Sequence, residues 1–231
     1  MVCPEVMPMR LATLVVAGLL IGASPAFAQI PADLLARAEQ GDAAAQSDLG
    51  LMYATGEGVP EDDTEAVRWY RLAAAQGNAF AQSTLGVMYS TGEGVPEDDA
   101  EAARWYRLAA AQGDASAQFN LGNMYRTGEG VPEDDAEAVR WYRLAAAQGD
   151  AFAQSNLGVM YDTGEGVPEN TERAYVWFSV AAAGQSGEDR DRAVANRDRA
   201  SARLTPEQRS RVQALATTCF NSDFTDCGEP E

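Results

Sequence analysis

The side chains able to do chemistry in this 231-residue chain belong to few types, which restricts the reactions open to it. There are 35 acidic and 17 basic residues, a net charge of −18, and neither histidine nor lysine. The chain therefore has no imidazole base, zinc-histidine site or lysine Schiff base. No GxSxG, SxxK or Walker sequence occurs either. We expect a protein that is not an enzyme and uses no cofactor and no metal. Its negative charge also excludes nucleic acid as a partner.

Acidic residues recur in short clusters, such as Glu57 with Glu61, Asp62 and Asp63. These carboxylates offer oxygen ligands for calcium, but they lack the alternating ligand pattern of an EF-hand loop. A carboxylate pair can also act as acid and base, but a cluster repeated throughout the chain is typical of structure rather than of one tuned pair. We interpret the clusters as a solvated acidic edge, and calcium binding is the alternative.

The first 28 residues differ in kind from the rest of the chain. Arg10 precedes an uncharged run over 11–23, and Ala26-Phe27-Ala28 supplies small residues at a cleavage site. This pattern predicts a signal peptide that is cut before Gln29. A membrane anchor is the alternative, although the run is shorter than the ~20 residues that cross a bilayer. We expect an exported protein, periplasmic or secreted, with no stable membrane span after cleavage.

Cleavage removes Cys3 and leaves two cysteines near the C-terminus, Cys219 and Cys227. Because exported proteins enter an oxidising compartment, the spacing favours a disulfide between these two residues. Two unpaired thiols are the alternative.

Four tandem repeats become evident when the sequence is compared with itself at an offset of 36 residues. The offset superimposes identical residues, namely Gly41, Gly77, Gly113 and Gly149, then Tyr53, Tyr89, Tyr125 and Tyr161, then Trp69, Trp105, Trp141 and Trp177. A period of this length predicts a solenoid, in which each unit buries its apolar face against its neighbours. The predicted segments are an N-terminal capping helix (29–40), repeats at 41–76, 77–112, 113–148 and 149–184, and C-terminal capping helices with a cysteine-containing tail (185–231).

Each repeat reads as a pair of helices, so the predicted fold class is all-α. Asp42 is a helix cap, and apolar positions at helical spacing predict helix A over 43–55. The stretch from Gly56 to Pro60 ends helix A, since glycine favours turns and proline cannot continue a preceding helix. Helix B starts there, with acidic residues in its first turn, and ends at Gly77.

The residues that recur in this unit resemble those of the Sel-1-like repeat, a relative of the tetratricopeptide repeat. In the first copy they are Leu49-Gly50, Tyr53, Gly56-x-Gly58-Val59, Ala66, Trp69-Tyr70, Ala73-Ala74 and Gly77. The resemblance implies an α-α superhelix whose A helices line the concave surface. It also implies an exported, non-catalytic scaffold or regulator that binds a protein partner of the cell envelope. A secreted effector that binds a host protein, and a hydrolytic or carbohydrate-active envelope enzyme, are the alternatives.

Comparison of the four copies separates two faces of helix A. Identical columns share one arc of the helix and indicate packing, whereas divergent columns such as Ser47 and its equivalent Ser83 share the opposite arc and face outward. Apolar and polar side chains on the divergent arc are the candidate partner-binding residues: Phe80, Val87, Phe119, Asn120, Asn123, Arg126, Phe152, Asn156 and Val159. The alternative is that the phenylalanines fill gaps between successive A helices. The repeated tryptophans are predicted to be core residues.

Two further helices are predicted beyond the repeats. Residues 188–204 suit a charged helix, and Thr205 with Gln208 forms a capping-box pattern for a helix that ends near Cys219. Segment 189–211 carries seven arginines against four acidic residues. We interpret it as an ion-paired capping region, with an anion or lipid-headgroup site as the alternative.

Overall fold

The computed structural model of the protein describes residues 30–224 and Cys227, and the predicted signal peptide lies outside these residues. Their secondary structure is eleven α-helices without a strand, which confirms the all-α prediction. The helices are α1 (Ala32–Glu39), α2 (Ala43–Thr55), α3 (Asp63–Ala75), α4 (Ala79–Thr91), α5 (Asp99–Ala111), α6 (Ala115–Thr127), α7 (Asp135–Ala146), α8 (Ala151–Thr163), α9 (Thr171–Gly184), α10 (Gly187–Ala202) and α11 (Pro206–Asn221). No helix in this part of the chain is both long and apolar enough to cross a membrane.

Helices α2 to α9 alternate as A and B members of four pairs, and local caps set their ends. The Asp42 carboxylate accepts a hydrogen bond from the Ala45 backbone N–H at 3.0 Å, and α2 covers the predicted residues of helix A. Helix B begins later than the turn residues suggested, at Asp63. Asp62 is extended and caps α3, while its own N–H bonds back to the carbonyl oxygen of Tyr53 at 2.9 Å. Of the acidic residues predicted for the first turn of helix B, Glu61 and Asp62 therefore precede the helix, and Asp63 begins it.

Close contact between helices A and B explains the glycine that follows each helix A leucine. A Cβ atom added to Gly50 would lie 2.8 Å from the Tyr70 ring, and one added to Gly86 would lie 2.5 Å from the Tyr106 ring. Both distances are shorter than the closest contacts that non-bonded carbon atoms make in proteins. Glycine at this position thus allows the aromatic ring of helix B to lie directly on the backbone of helix A.

Stacking between repeats buries the tryptophans, as predicted. Trp69, Trp105, Trp141 and Trp177 are all buried. Trp105 of α5 shares a core cluster with Leu85 and Met88 of α4 and with Tyr70 of α3. One indole therefore joins two consecutive repeats.

A ladder of buried glutamines runs alongside this core. Gln82 donates from its side-chain amide to the carbonyl oxygen of Ala74 at 3.0 Å and accepts from the Gln112 side chain at 2.7 Å. These two bonds link α3, α4 and α5, and the same arrangement recurs along the array. In the first repeat, the Gln46 side-chain amide donates to the carbonyl oxygen of Ala38 in α1 at 3.0 Å. Helix α1 therefore occupies the place of a preceding helix B.

The C-terminal helices pack on α9. Thr205 and Gln208 form the predicted capping box at the start of α11. Helix α11 runs beside α9, with Arg211 paired to Glu172 at one end and Phe220 near Val180 at the other. Cys219 and Cys227 are joined by a disulfide with a Cα–Cα distance of 4.4 Å.

Candidate protein-binding surface

We define the helix A surface as the outward-facing side chains of α2, α4, α6 and α8. Its most exposed large apolar residues are Phe80 and Phe152, which expose 51% and 50% of their area. Val87 lies seven residues after Phe80, and Val159 lies seven residues after Phe152, so each pair occupies one face of its helix. Both valines are also exposed. Helices α4 and α8 thus each present an apolar stripe to solvent.

Phe119 differs from the other two phenylalanines. It is partly buried against the core, and its ring centroid lies 6.1 Å from that of Tyr142 and 6.1 Å from that of Phe152. Phe119 therefore fills the space between α6 and α8, as the gap-filling alternative stated. Phe80, whose ring meets the edge of Tyr70 with centroids 6.3 Å apart, remains half-exposed.

A polar network lies on α6 between the two apolar stripes. Tyr142 of α7 donates its hydroxyl hydrogen to Asn123 Oδ1 at 2.7 Å, and the Asn156 side chain donates to the same oxygen at 3.2 Å. Arg126 Nε donates to the Tyr142 hydroxyl at 3.3 Å. Burial raises the pKa of Tyr142, so its hydroxyl stays protonated and donates at neutral pH. The network brings three predicted polar residues together and fixes their orientation.

Asn120 is half-buried and lies one turn before Asn123 on the same helix. All nine predicted residues belong to α4, α6 or α8.

Two other residues on the divergent arc do not face outward. Ser47 and Ser83 are buried, and Ser83 donates to the Asp114 carboxylate that caps α6, at 3.1 Å. The outward arc is narrower than predicted, because the next repeat covers its edge.

Helix α10 forms one wall of the helix A surface, and this position was not predicted. Two cavities lie between α8 and α10, with volumes of about 240 Å³ and about 400 Å³. Both are lined by Val159 and Asn196, so they are adjacent, and we name the two together the α8–α10 trough. The sequence carries one signal of this contact, Asp162 of helix A, which pairs with Arg203 just beyond α10.

The predicted ion-pairing of the arginine-rich segment is observed for four of its seven arginines. Arg192 pairs with Asp189, Arg197 with Asp198, Arg203 with Asp162 and Glu169, and Arg211 with Glu172. Within residues 30–224 and Cys227, no three histidine, cysteine or acidic side chains are grouped closely enough to hold a metal ion.

Comparison with known proteins gives a consistent family signal. The family model described as Sel1 repeat matches residues 43–78, 79–114, 115–150 and 151–186, which start two residues after the predicted boundaries. No curated protein matches the chain. A Sel1 repeat protein from Oxalobacter formigenes is 31% identical, with a TM-score of 0.65 over 80% of this chain and 81% of that one.

A second solved structure is similar over a comparable stretch. It is c5321, a protective antigen of uropathogenic Escherichia coli strains that displays an SLR fold. It is 34% identical with a TM-score of 0.64, over 85% of this chain. The match spans 45% of that antigen, so the present chain corresponds to less than half of it.

Proposed function

Because the chain belongs to the Sel1 repeat family, whose members generally mediate protein–protein interaction, we propose that it is an exported scaffold or regulator of cell-envelope proteins. The family is typically non-catalytic. In this proposal the A helices line a concave groove that holds a segment of the partner. The observation that carries it is the exposure of Phe80 and Phe152 on the same face of two A helices.

The helix A surface suits a partner segment in which apolar side chains lie on both sides of polar ones. Apolar stripes on α4 and α8 flank the polar centre of α6, where Asn123 is fixed by Tyr142 and Asn156. Half-exposed aromatic anchors beside oriented polar groups are typical of protein interfaces. Helices α4 and α6 contact each other, and Phe119 joins α6 to α8, so the three helices present one continuous surface.

Site-specific photocrosslinking in cells tests the groove. A photoreactive amino acid is placed at Val87 or Val159 on the helix A surface, and at Leu108 or Leu144 on helix B as controls. The four side chains are matched in exposure, at 39%, 38%, 43% and 42%. We expect one protein to be crosslinked from both helix A positions and not from the controls. Equal crosslinking from all four positions, or capture only from helix B, would contradict the groove.

Export is a separate part of the proposal and rests on the N-terminal pattern of Arg10, the apolar run and Ala26-Phe27-Ala28. N-terminal sequencing of protein from fractionated cells should begin at Gln29. Recovery of the uncleaved chain from the inner membrane would show that the segment is an anchor instead.

A further inference from the structure

The α8–α10 trough joins an apolar end to a basic end. Phe152 and Val159 of α8 line its smaller cavity, and Val159, Phe178 and Arg199 line the larger one. A peptide lying along the trough would therefore meet aromatic and aliphatic side chains in one cavity and the Arg199 guanidinium group in the next. Such a layout suits a short peptide motif better than a flat membrane surface.

The charged residues that line the trough are three arginines and two aspartates: Arg192, Arg199, Arg203, Asp162 and Asp189. Both aspartates are already paired, Asp189 with Arg192 and Asp162 with Arg203. The third arginine, Arg199, is exposed and donates to the neutral side chain of Asn196. No described carboxylate lies within ion-pairing distance of Arg199. The residues that line the trough thus carry a formal charge of 3 − 2 = +1 in a chain of net charge −18, and Glu169, which also pairs with Arg203, does not line it.

We propose that the trough binds an aspartate or glutamate side chain of the partner segment, adjacent to an apolar residue that packs on Phe152 and Val159. This inference rests on the proposed function and adds the chemistry of the bound motif. Arg199 presents a planar set of N–H donors that matches a carboxylate in two-point contact. The field of the whole molecule attracts basic partners at long range, but the local charge of the trough favours an acidic side chain.

A phage-displayed library of random twelve-residue peptides, selected on the full chain, tests this motif. We expect enriched peptides to carry Asp or Glu within a few positions of an aromatic or aliphatic residue. The Arg199→Glu variant should lose that acidic preference. The control Arg190→Glu changes another exposed arginine of α10 that does not line the trough, and it should keep the preference.

Fluorescence anisotropy with one selected peptide gives the size of the effect. Replacing its acidic residue by the matching amide should weaken binding to the wild type by about fivefold, the scale of a solvent-exposed ion pair. The same replacement should not weaken binding to Arg199→Glu and should strengthen it, because the acidic peptide residue there faces a like charge. Thermal unfolding of each variant checks that the fold is retained.

The outcomes separate this inference from the proposed function. Enriched peptides that are apolar but lack acidic residues, and that bind less tightly to Phe152→Ala, would overturn the inference and leave the groove in place. Failure to enrich any peptide, or binding indifferent to Phe152→Ala, would overturn both. Arg199-dependent binding to phosphatidylglycerol vesicles without an acidic peptide preference would assign the trough to lipid headgroups instead.

Discussion

At the scale of single residues, the four copies of the repeat act as controls for one another. The aromatic ring that packs on the helix A glycine belongs to a tyrosine in the first and third repeats, Tyr70 and Tyr142. In the fourth repeat it belongs to a phenylalanine, Phe178. The Tyr142 hydroxyl bonds to Asn123, whereas no described group lies within hydrogen-bonding distance of the buried Tyr70 hydroxyl. The same aromatic position thus serves packing alone in one copy and orients a surface amide in another.

The first prediction concerns the hydroxyl of Tyr70. Burial raises its pKa to about 12 from an ordinary value of 10. A raised pKa means that the folded state holds the phenolic proton more tightly than the unfolded chain does. The free energy of unfolding that this difference provides is therefore complete below pH 10 and declines between pH 10 and 12. Tyr70→Phe should leave stability at pH 7 unchanged or raise it by up to about 1 kcal/mol, because a buried hydroxyl without a partner is removed. It should also reduce the loss of stability at alkaline pH.

Urea unfolding followed by circular dichroism at pH 7 and pH 11 measures both effects. Tyr142→Phe is the matched control, and it should cost about 1 kcal/mol at pH 7 because it breaks the bond to Asn123. A large loss of stability in Tyr70→Phe at pH 7 would show that its hydroxyl has a partner after all.

At the scale of helices, local signals in the sequence were sufficient for most boundaries. The cap at Asp42 and the glycine-rich turn predicted α2 correctly, because caps and turns depend on neighbouring residues. The start of helix B was placed too early, since an acidic run does not distinguish a loop from a first helical turn. The trough between α8 and α10 was not predicted, because α10 belongs to no repeat; α10 packs on α9 and faces α8 across the trough.

The second prediction concerns the indole that joins two repeats. Trp105→Ala should cost roughly 3 to 5 kcal/mol, because it removes a buried aromatic shared by α3, α4 and α5. Leu108→Ala on the same helix is the control, since this leucine is exposed and its loss should change stability by about 0.5 kcal/mol at most. Thermal unfolding of both variants measures the difference. Equal effects would mean that stacking does not depend on the tryptophan.

At the scale of the whole molecule, the fold followed from a repeat period that the sequence shows directly. Differences among the copies also identified the helix A surface, because positions that stack stay identical while outward positions vary. The contacts that the sequence did not reveal lie where successive repeats meet. Ser83 is covered by the start of α6, and Phe119 is held between α6 and α8, and neither contact is visible in the pattern of a single helix.

The central claim is that the helix A surface binds the partner. The measurement that tests it most directly is the affinity of the crosslinked partner for wild type and for the double variant Phe80→Ala/Phe152→Ala. Phe119 is left intact because it packs on the core. The matched control is Leu72→Ala/Leu108→Ala, which removes exposed apolar area from helix B.

Interface anchors contribute about 1 to 3 kcal/mol each, so the loss of both should cost at least about 2 kcal/mol and weaken binding about 30-fold or more. The leucine variant should bind like the wild type, and both variants should stay folded. A folded phenylalanine variant that binds as tightly as the wild type, or a leucine variant that loses binding instead, would contradict the claim.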